Sequence, residues 1–310
     1  MKVIARAGRE DIAILYVAES EKGKWIEFVE SVQPPLPRKE KWVLIVSSLY
    51  GCPVGCQFCD AGSYFQGKVS KKDILFQIDY LVKKRYPRRK VPVEKFKIQF
   101  ARTGEPAFNE AVLKVLDSLP ALYDAPGLMP CISSVAPRGR ESFFEKLLEI
   151  KKRKYSRRFQ LQFSIHTTNE ELRNRVIPIK KWSFSEIARY GERFFDKNGR
   201  KIALNFALAN GFPLEPEVLL KYFSPDIFLI KITPVNPTYT AIKHQLSSER
   251  ALEKSHEILD SISQKGFEVI LSIGELEENK IGSNCGQYVL RHLKESTKIR
   301  SAYSYELREV

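Results

Sequence analysis

At 310 residues, with 43% hydrophobic and 28% charged positions, the chain can bury a core as one large α/β domain or two modest ones. No run is apolar for the length that spans a bilayer, and the start MKVIARAGREDIAILYVAE lacks a signal-peptide profile; the expectation is a soluble, cytoplasmic protein. The 51 Lys and Arg against 37 Asp and Glu leave a net charge of +14, and the odd, clustered set of five cysteines disfavours a disulfide framework and favours thiols used in chemistry.

Residues 1–40 alternate apolar and polar positions in KVIARAG, DIAILYVAE and KWIEFVES and end in the proline-rich VQPPLPRKE. They read as a small β-strand extension rather than an independent domain. From residue 41 to 295 strand-like and helix-like segments alternate. Strands are expected at 42–48, 95–101, 128–134, 159–166, 201–208 and 226–233, with a seventh at 266–273. The clearest helix is SKKDILFQIDYLVKKRY, in which Ser70 caps and Ile74, Leu75, Ile78, Leu81 and Val82 share a face. Asn109 reads as the cap of the helix NEAVLKVLDSL. Such alternation implies βαβ units and a parallel sheet, open or closed into a barrel; residues 296–310 form a tail. Two basic runs, KKRYPRRK (83–90) and KKRKYSRR (151–158), each hold a tyrosine. They fit either solvated helix ends or contacts to a polyanion such as nucleic acid.

Immediately after the first barrel strand comes SSLYGCPVGCQFCDAG, which places Cys52, Cys56 and Cys59 in a C-x3-C-x2-C pattern. Gly51, Pro53 and Gly55 make this a loop, at the strand end where parallel α/β folds bind ligands. Three thiolates on one loop suit a four-iron cluster with one iron left open. A structural zinc site is the competing reading, but it wants a fourth ligand that the neighbouring residues do not supply.

The pattern with Phe58 before the last cysteine resembles the signature of radical S-adenosylmethionine enzymes. The resemblance implies a [4Fe-4S] cluster on Cys52, Cys56 and Cys59 whose open iron binds S-adenosylmethionine, reduced by a low-potential ferredoxin or flavodoxin to give a 5′-deoxyadenosyl radical. It also implies a partial (β/α)6 barrel. ARTGEPAFN is similar to the motif that holds the cofactor amino group, here Gly104, Glu105 and Pro106. FSIHTTNEELRNRVIPIKK is similar to a fourth-strand motif of the RlmN/Cfr-type adenosine C2 methyltransferases of ribosomal and transfer RNA, with Ser164, His166, Asn169, Arg173 and Pro178 at matching places. KITPVNPT places Asn236 like that family's nucleotide-contacting asparagine, and SNCGQ places Cys285 like its methyl-carrying cysteine. Ser133, on the third strand, faces the cofactor in the same pattern. The resemblance covers residues 40–290 and implies a monomeric methyltransferase acting on RNA, away from membranes.

Two departures stand out. The family's resolving cysteine, seven residues before the first cluster cysteine, is here Ile45, and its helical N-terminal RNA-binding domain is replaced by β-like sequence. Isoleucine neither acts as a base nor forms a disulfide. Cys131 shares strand parity with Ser133 and is a candidate substitute, or a packed strand cysteine. Two other functions therefore stay open: radical chemistry on a protein or small-molecule substrate, and a non-catalytic, metal-containing RNA-binding protein.

Overall fold

The alternating N-terminal segments form three antiparallel strands, β1 (Lys2–Arg9), β2 (Ala13–Glu19) and β3 (Trp25–Ser31). The computed structural model describes residues 1–32, 34–253, 255–274, 276–284, 298–299 and 301–310. β4 (Lys41–Val46) follows, and a short hairpin of β5 (Leu49–Tyr50) and β6 (Gly67–Lys68) brackets the cysteine loop. The later strands are β7 (Lys95–Phe100), β8 (Leu128–Ser134), β9 (Gln160–Ser164), β10 (Ile202–Leu208), β11 (Phe228–Pro234) and β12 (Glu268–Leu271). β13 (Arg308–Glu309) is the last. Each barrel segment expected as a strand forms one, with ends that match or shift by one to two residues.

All but the hairpin join one sheet in the order β12-β11-β10-β9-β8-β7-β4-β3-β2-β1-β13. From β4 to β12 the pairing is parallel, as βαβ crossovers require. Ile45 of β4 and Ser272, just past β12, nevertheless border the same central chamber. The sheet therefore curls into a partial barrel.

Helices cover the outer face. Among them are α1 (Lys71–Arg85), α2 (Ala111–Leu122), α3 (Glu141–Ile150), α4 (Glu170–Val176), α5 (Phe184–Phe194), α6 (Pro216–Tyr222) and α7 (Tyr239–Lys243). Strand alternation decides which side chains meet them. On β4, Trp42, Leu44 and Val46 join the core with Ile74 and Ile78 of α1 and Phe143 and Phe144 of α3. The other β4 parity, Val43 and Ile45, faces the barrel interior. Ser70 caps α1 by accepting from the Asp73 amide at 3.0 Å. Asn109 does more than cap: its carbonyl accepts from Ala111 N, while its amide donates to Ser48 O and Val69 O at 2.7 and 2.8 Å. It thereby fixes the start of the cysteine loop against the second barrel strand.

The first residues are continuous with the barrel. Tyr16 and Phe28 belong to the main core, and buried Glu30 accepts from Tyr16 Oη at 2.8 Å and from both Nε and Nη2 of Arg85. At the other end of the chain, Ala302 and Tyr303 pack with Ile12 and Leu15, and β13 pairs with β1.

Candidate active site

The C-terminal ends of the barrel strands enclose a chamber of about 430 Å³. Cys52, Cys56 and Cys59 border it, as do Phe58, Gly104 and Glu105. Ser133, Ser164, His166 and Asn236 border the same chamber. Residues spread over nearly two hundred positions thus meet in one space. Pro106 is buried just behind Glu105 and opens a short 3-10 turn, Pro106–Phe108. Cys131 lies deeper on the inner face of β8, 1% exposed, with Sγ 3.8 Å from the donating Gln99 Nε2. Cys285 lies outside the described residues, but Ser283 and Asn284, next to it in sequence, border the chamber.

The cysteine loop is held by its own backbone and by a distant segment. Cys52 N donates to Ala61 O at 2.7 Å, and Cys59 N to Cys56 O at 3.2 Å. Gly51 has φ of +80°, and a Cβ there would lie 1.9 Å from Tyr64 O, so the turn needs glycine. Asp60, fully buried, accepts from Thr240 Oγ1 at 2.6 Å, Thr240 N at 2.8 Å, Tyr239 N at 3.2 Å and Tyr303 Oη at 3.2 Å. Thr238 Oγ1 donates to Phe58 O at 3.1 Å. The start of α7 and the chain terminus therefore position the loop.

Burial pushes the Cys52 thiol up to about 12 and the Cys59 thiol up to about 11; Cys56 also lies far above its usual range, and the neighbouring thiols add to the shifts of Cys52 and Cys56. A set of buried thiols deprotonates when a strong cation binds them. Among the described residues no group of three His, Cys, Asp or Glu is close enough to hold a metal ion. Three cysteine thiols on one short loop, all bordering one chamber, are the ligand type that an iron–sulfur cluster uses. The residues fit the cluster on that ground.

Glu105 is buried, with its carboxyl raised to about 6 by burial. Ser134 Oγ donates to it at 2.6 Å, Val135 N at 2.8 Å and Ala107 N at 3.0 Å. These bonds occupy three of roughly four acceptor positions of a carboxylate, leaving room for one further donor from the chamber. Gly104 has φ of +96°, and a Cβ would strike Leu49 at 2.4 Å. His166 is in the left-handed region at φ of +70°. Its Nδ1 accepts from Ala207 N at 3.0 Å, and burial lowers the ring to about 3, so it is neutral with Nε2 carrying the hydrogen. Phe58 meets it edge to face, centroids 4.5 Å apart. Asn169 caps α4 by accepting from Leu172 N at 2.8 Å, and Arg173 donates to Trp182 O from beneath it; both hold the loop from outside.

Several site residues escaped the sequence. Arg102 is buried and donates from Nη1 to Ser283 O at 2.6 Å and from Nη2 to Gly282 O at 2.8 Å. Asn205 borders the chamber with its side-chain Oδ1 unpartnered, and Lys231 sits beside it across the β10–β11 register. No local pattern marks them; strand parity counted from Ser133 and Ser164 would have placed Asn205 and Lys231 inside.

The proline-flanked turn at Glu105 and the three-cysteine loop now stand in one chamber. The chain is 27% identical over 243 residues to a probable dual-specificity RNA methyltransferase RlmN of Prochlorococcus marinus, covering 74% of this chain and 65% of the relative. It is 26% identical over 251 residues to ribosomal RNA large subunit methyltransferase N of Nitrosopumilus maritimus, covering 77% and 69%. The chain is thus similar to proteins named RlmN methyltransferases. It spans about two thirds of their length. A radical SAM methyltransferase from Sphaerobacter thermophilus shares the fold, with a TM-score of 0.68 at 17% identity over 88% of this chain and 76% of that one. No protein-family model matches. Among the described residues no helix is long and apolar enough to cross a membrane.

Proposed function

We propose that the chain is a radical S-adenosylmethionine enzyme that modifies a base in RNA by methylation or alkylation. The observation that carries this reading is the convergence of the cysteine loop, Glu105, Asn236 and the residues preceding Cys285 on one chamber. Cys52, Cys56 and Cys59 would hold a [4Fe-4S] cluster, which with S-adenosylmethionine supplies one-electron chemistry that generates a carbon radical. Glu105 offers its remaining acceptor position to the cofactor's ammonium group. Ser133 and Ser164 offer hydroxyls from adjacent strands, and His166 offers its Nε2 hydrogen. Asn236 Nδ2 donates to Asn284 O at 3.4 Å, which ties the nucleotide-contacting position to the segment before Cys285. Cys285 is the methyl-carrying thiol in this reading.

The charge distribution supports RNA. Some basic residues are committed within the chain: Arg89 to Asp79, Arg85 to Glu30, Lys151 to Asp196 and Arg153 to Asp117. Three other cations of the two runs meet in space. A surface cavity of about 700 Å³ at the start of β8 is bordered by Arg88 from one run and by Lys154 and Arg158 from the other, with Tyr123 and Tyr155. Among the described residues these three cations make no ion pair. They suit phosphate contacts on a structured ribosomal or transfer RNA. A ferredoxin or flavodoxin supplies the electron, and the enzyme acts as a cytoplasmic monomer.

One observation favours a second reading. Ile45, at the position of the family's resolving cysteine, borders the chamber, so no thiol stands there to release an adduct from Cys285. Radical chemistry on a protein or a small molecule, without methyl transfer, fits that wall. Incubating the reconstituted enzyme, a reductant and methyl-labelled S-adenosylmethionine with total RNA separates the two. Label in an RNA fraction is expected; 5′-deoxyadenosine formed without labelled RNA supports the second reading.

A further inference from the structure

Below the chamber the barrel interior is cationic. Ile45, Gln99 and Lys231 border the chamber, so strand alternation puts the positions two and four residues earlier on the same inner face. On β4 that position is Lys41, and on β7 they are Lys97 and Lys95. Lys41 and Lys95 are direct partners in the β4–β7 register. Arg200, just before β10, stands at the same end and donates to Gln160 Oε1 at 2.8 Å.

These cations act on one another although they come from opposite ends of the barrel sheet. Lys41 is lowered to about 8, first by burial and then by Lys95, Lys97, Lys231 and Arg200. Lys95 is lowered by burial, then by Arg200 and Lys97. Lys231 is lowered by burial, then by Lys97, with Cys131 opposing. Among the described residues no carboxylate acts on Lys95 or on Lys231. Buried charges are ordinarily paired, because a desolvated cation beside others of its sign is unfavourable. The buried Arg102 obeys that rule through Glu27.

We propose that the inner face of the barrel beneath the chamber binds a phosphate-type anion, held by Lys95, Lys97 and Lys231, with Lys41 and Arg200 at its mouth. The three ammonium groups, two from β7 and one from β11, can each donate to a different oxygen of a tetrahedral polyanion. Lys231 reaches the site from the chamber side, and the lysines that begin β4 and β7 open it towards the opposite end of the barrel. The ligand is a phosphoryl group, carried either by RNA or by a free small anion.

The test is ³¹P NMR of orthophosphate and of pyrophosphate titrated with the isolated protein at fixed ionic strength, with thermal unfolding in parallel. The wild-type protein should broaden the ³¹P line saturably and gain thermal stability beyond a chloride control. Lys97→Met and Lys231→Met should each weaken binding at least about tenfold, as expected for loss of a charge-assisted contact. Both should be more stable than wild type without phosphate, because a repulsion is lifted. Lys95→Gln, at the more accessible mouth, provides the same comparison should a deeper variant fail to fold. Non-saturable broadening by wild type, or equal binding by the folded variants, would overturn the proposal. Displacement by a 5′-phosphorylated oligoribonucleotide, but not by its unphosphorylated form, supports the site and identifies an RNA phosphate as its source. Retention of the small anion against both supports a free anion. The readout uses neither S-adenosylmethionine nor methyl transfer, so its failure leaves the proposed function standing.

Discussion

Arg102 Nη2 lies 3.4 Å from Glu27 Oε2, and both side chains are almost wholly buried. The pair joins β3, in the N-terminal extension, to the end of the second barrel strand. The same guanidinium holds the carbonyls of Gly282 and Ser283. One side chain thus connects the extension, the turn leading to Glu105 and the segment that leads to Cys285.

Removing one member of a buried ion pair leaves the other charged and desolvated, at a cost of about 3–5 kcal/mol. Arg102→Met should lower stability by that amount in urea unfolding. The double variant Arg102→Met/Glu27→Gln should lose less than the sum of the two single changes. Additive losses would show that the pair is not energetically coupled.

Cys52, Cys56 and Cys59 sit on a loop outside the main core. Replacing all three by Ser should leave thermal unfolding of the iron-free protein within about 1 kcal/mol, since no large side chain is lost. After anaerobic reconstitution, wild type should retain iron and sulfide and form 5′-deoxyadenosine, and the triple variant should do neither. Comparable iron in both proteins would count against the cluster assignment.

His166 gives the fold a sensitivity to acid. Its ring titrates near 3 when folded because of burial, against an ordinary 6.5. Between those values the unfolded chain binds a proton that the folded chain excludes, so stability is full above about pH 6.5 and declines as pH falls towards 3, by an amount on the order of 4 kcal/mol. Glu105, raised to about 6 from 4.5, acts oppositely over a narrower window: its protonated form is favoured by the fold, so its contribution is lost as pH rises from 4.5 to 6. The larger His166 effect should dominate. His166→Gln should flatten the acid limb of a stability profile; an unchanged limb would assign it to other groups.

Ile45 is placed to test the chemistry directly. Its neighbours in register are Val29 and Gln99, and its side chain borders the chamber. Ile45→Cys puts a thiol there at little packing cost, because the position is incompletely buried. On the RNA reading, wild type should accumulate covalent RNA–protein adduct at Cys285 and the variant should release it as modified RNA. Mass spectrometry of Cys285-containing peptides reads the difference. An unmodified Cys285 in both proteins, with 5′-deoxyadenosine formed, would favour the non-RNA substrate.

The sequence by itself determined the succession of strands and helices, because each rests on local periodicity: Trp42, Leu44 and Val46 alternate, and Ile74, Ile78 and Leu81 recur at helical spacing. It also determined the cysteine loop and the Gly104–Glu105 turn, whose spacing and positive φ are local matters. Only the tertiary structure decided what faces these groups. Asp60 finds Thr240 and Tyr303, Arg102 finds Glu27 and Ser283, and Lys41 comes near Lys231 only because the sheet curls. Parity says which side of a strand a residue occupies. Closure of the barrel, a sum of contacts between segments far apart in the chain, says which residues share that side.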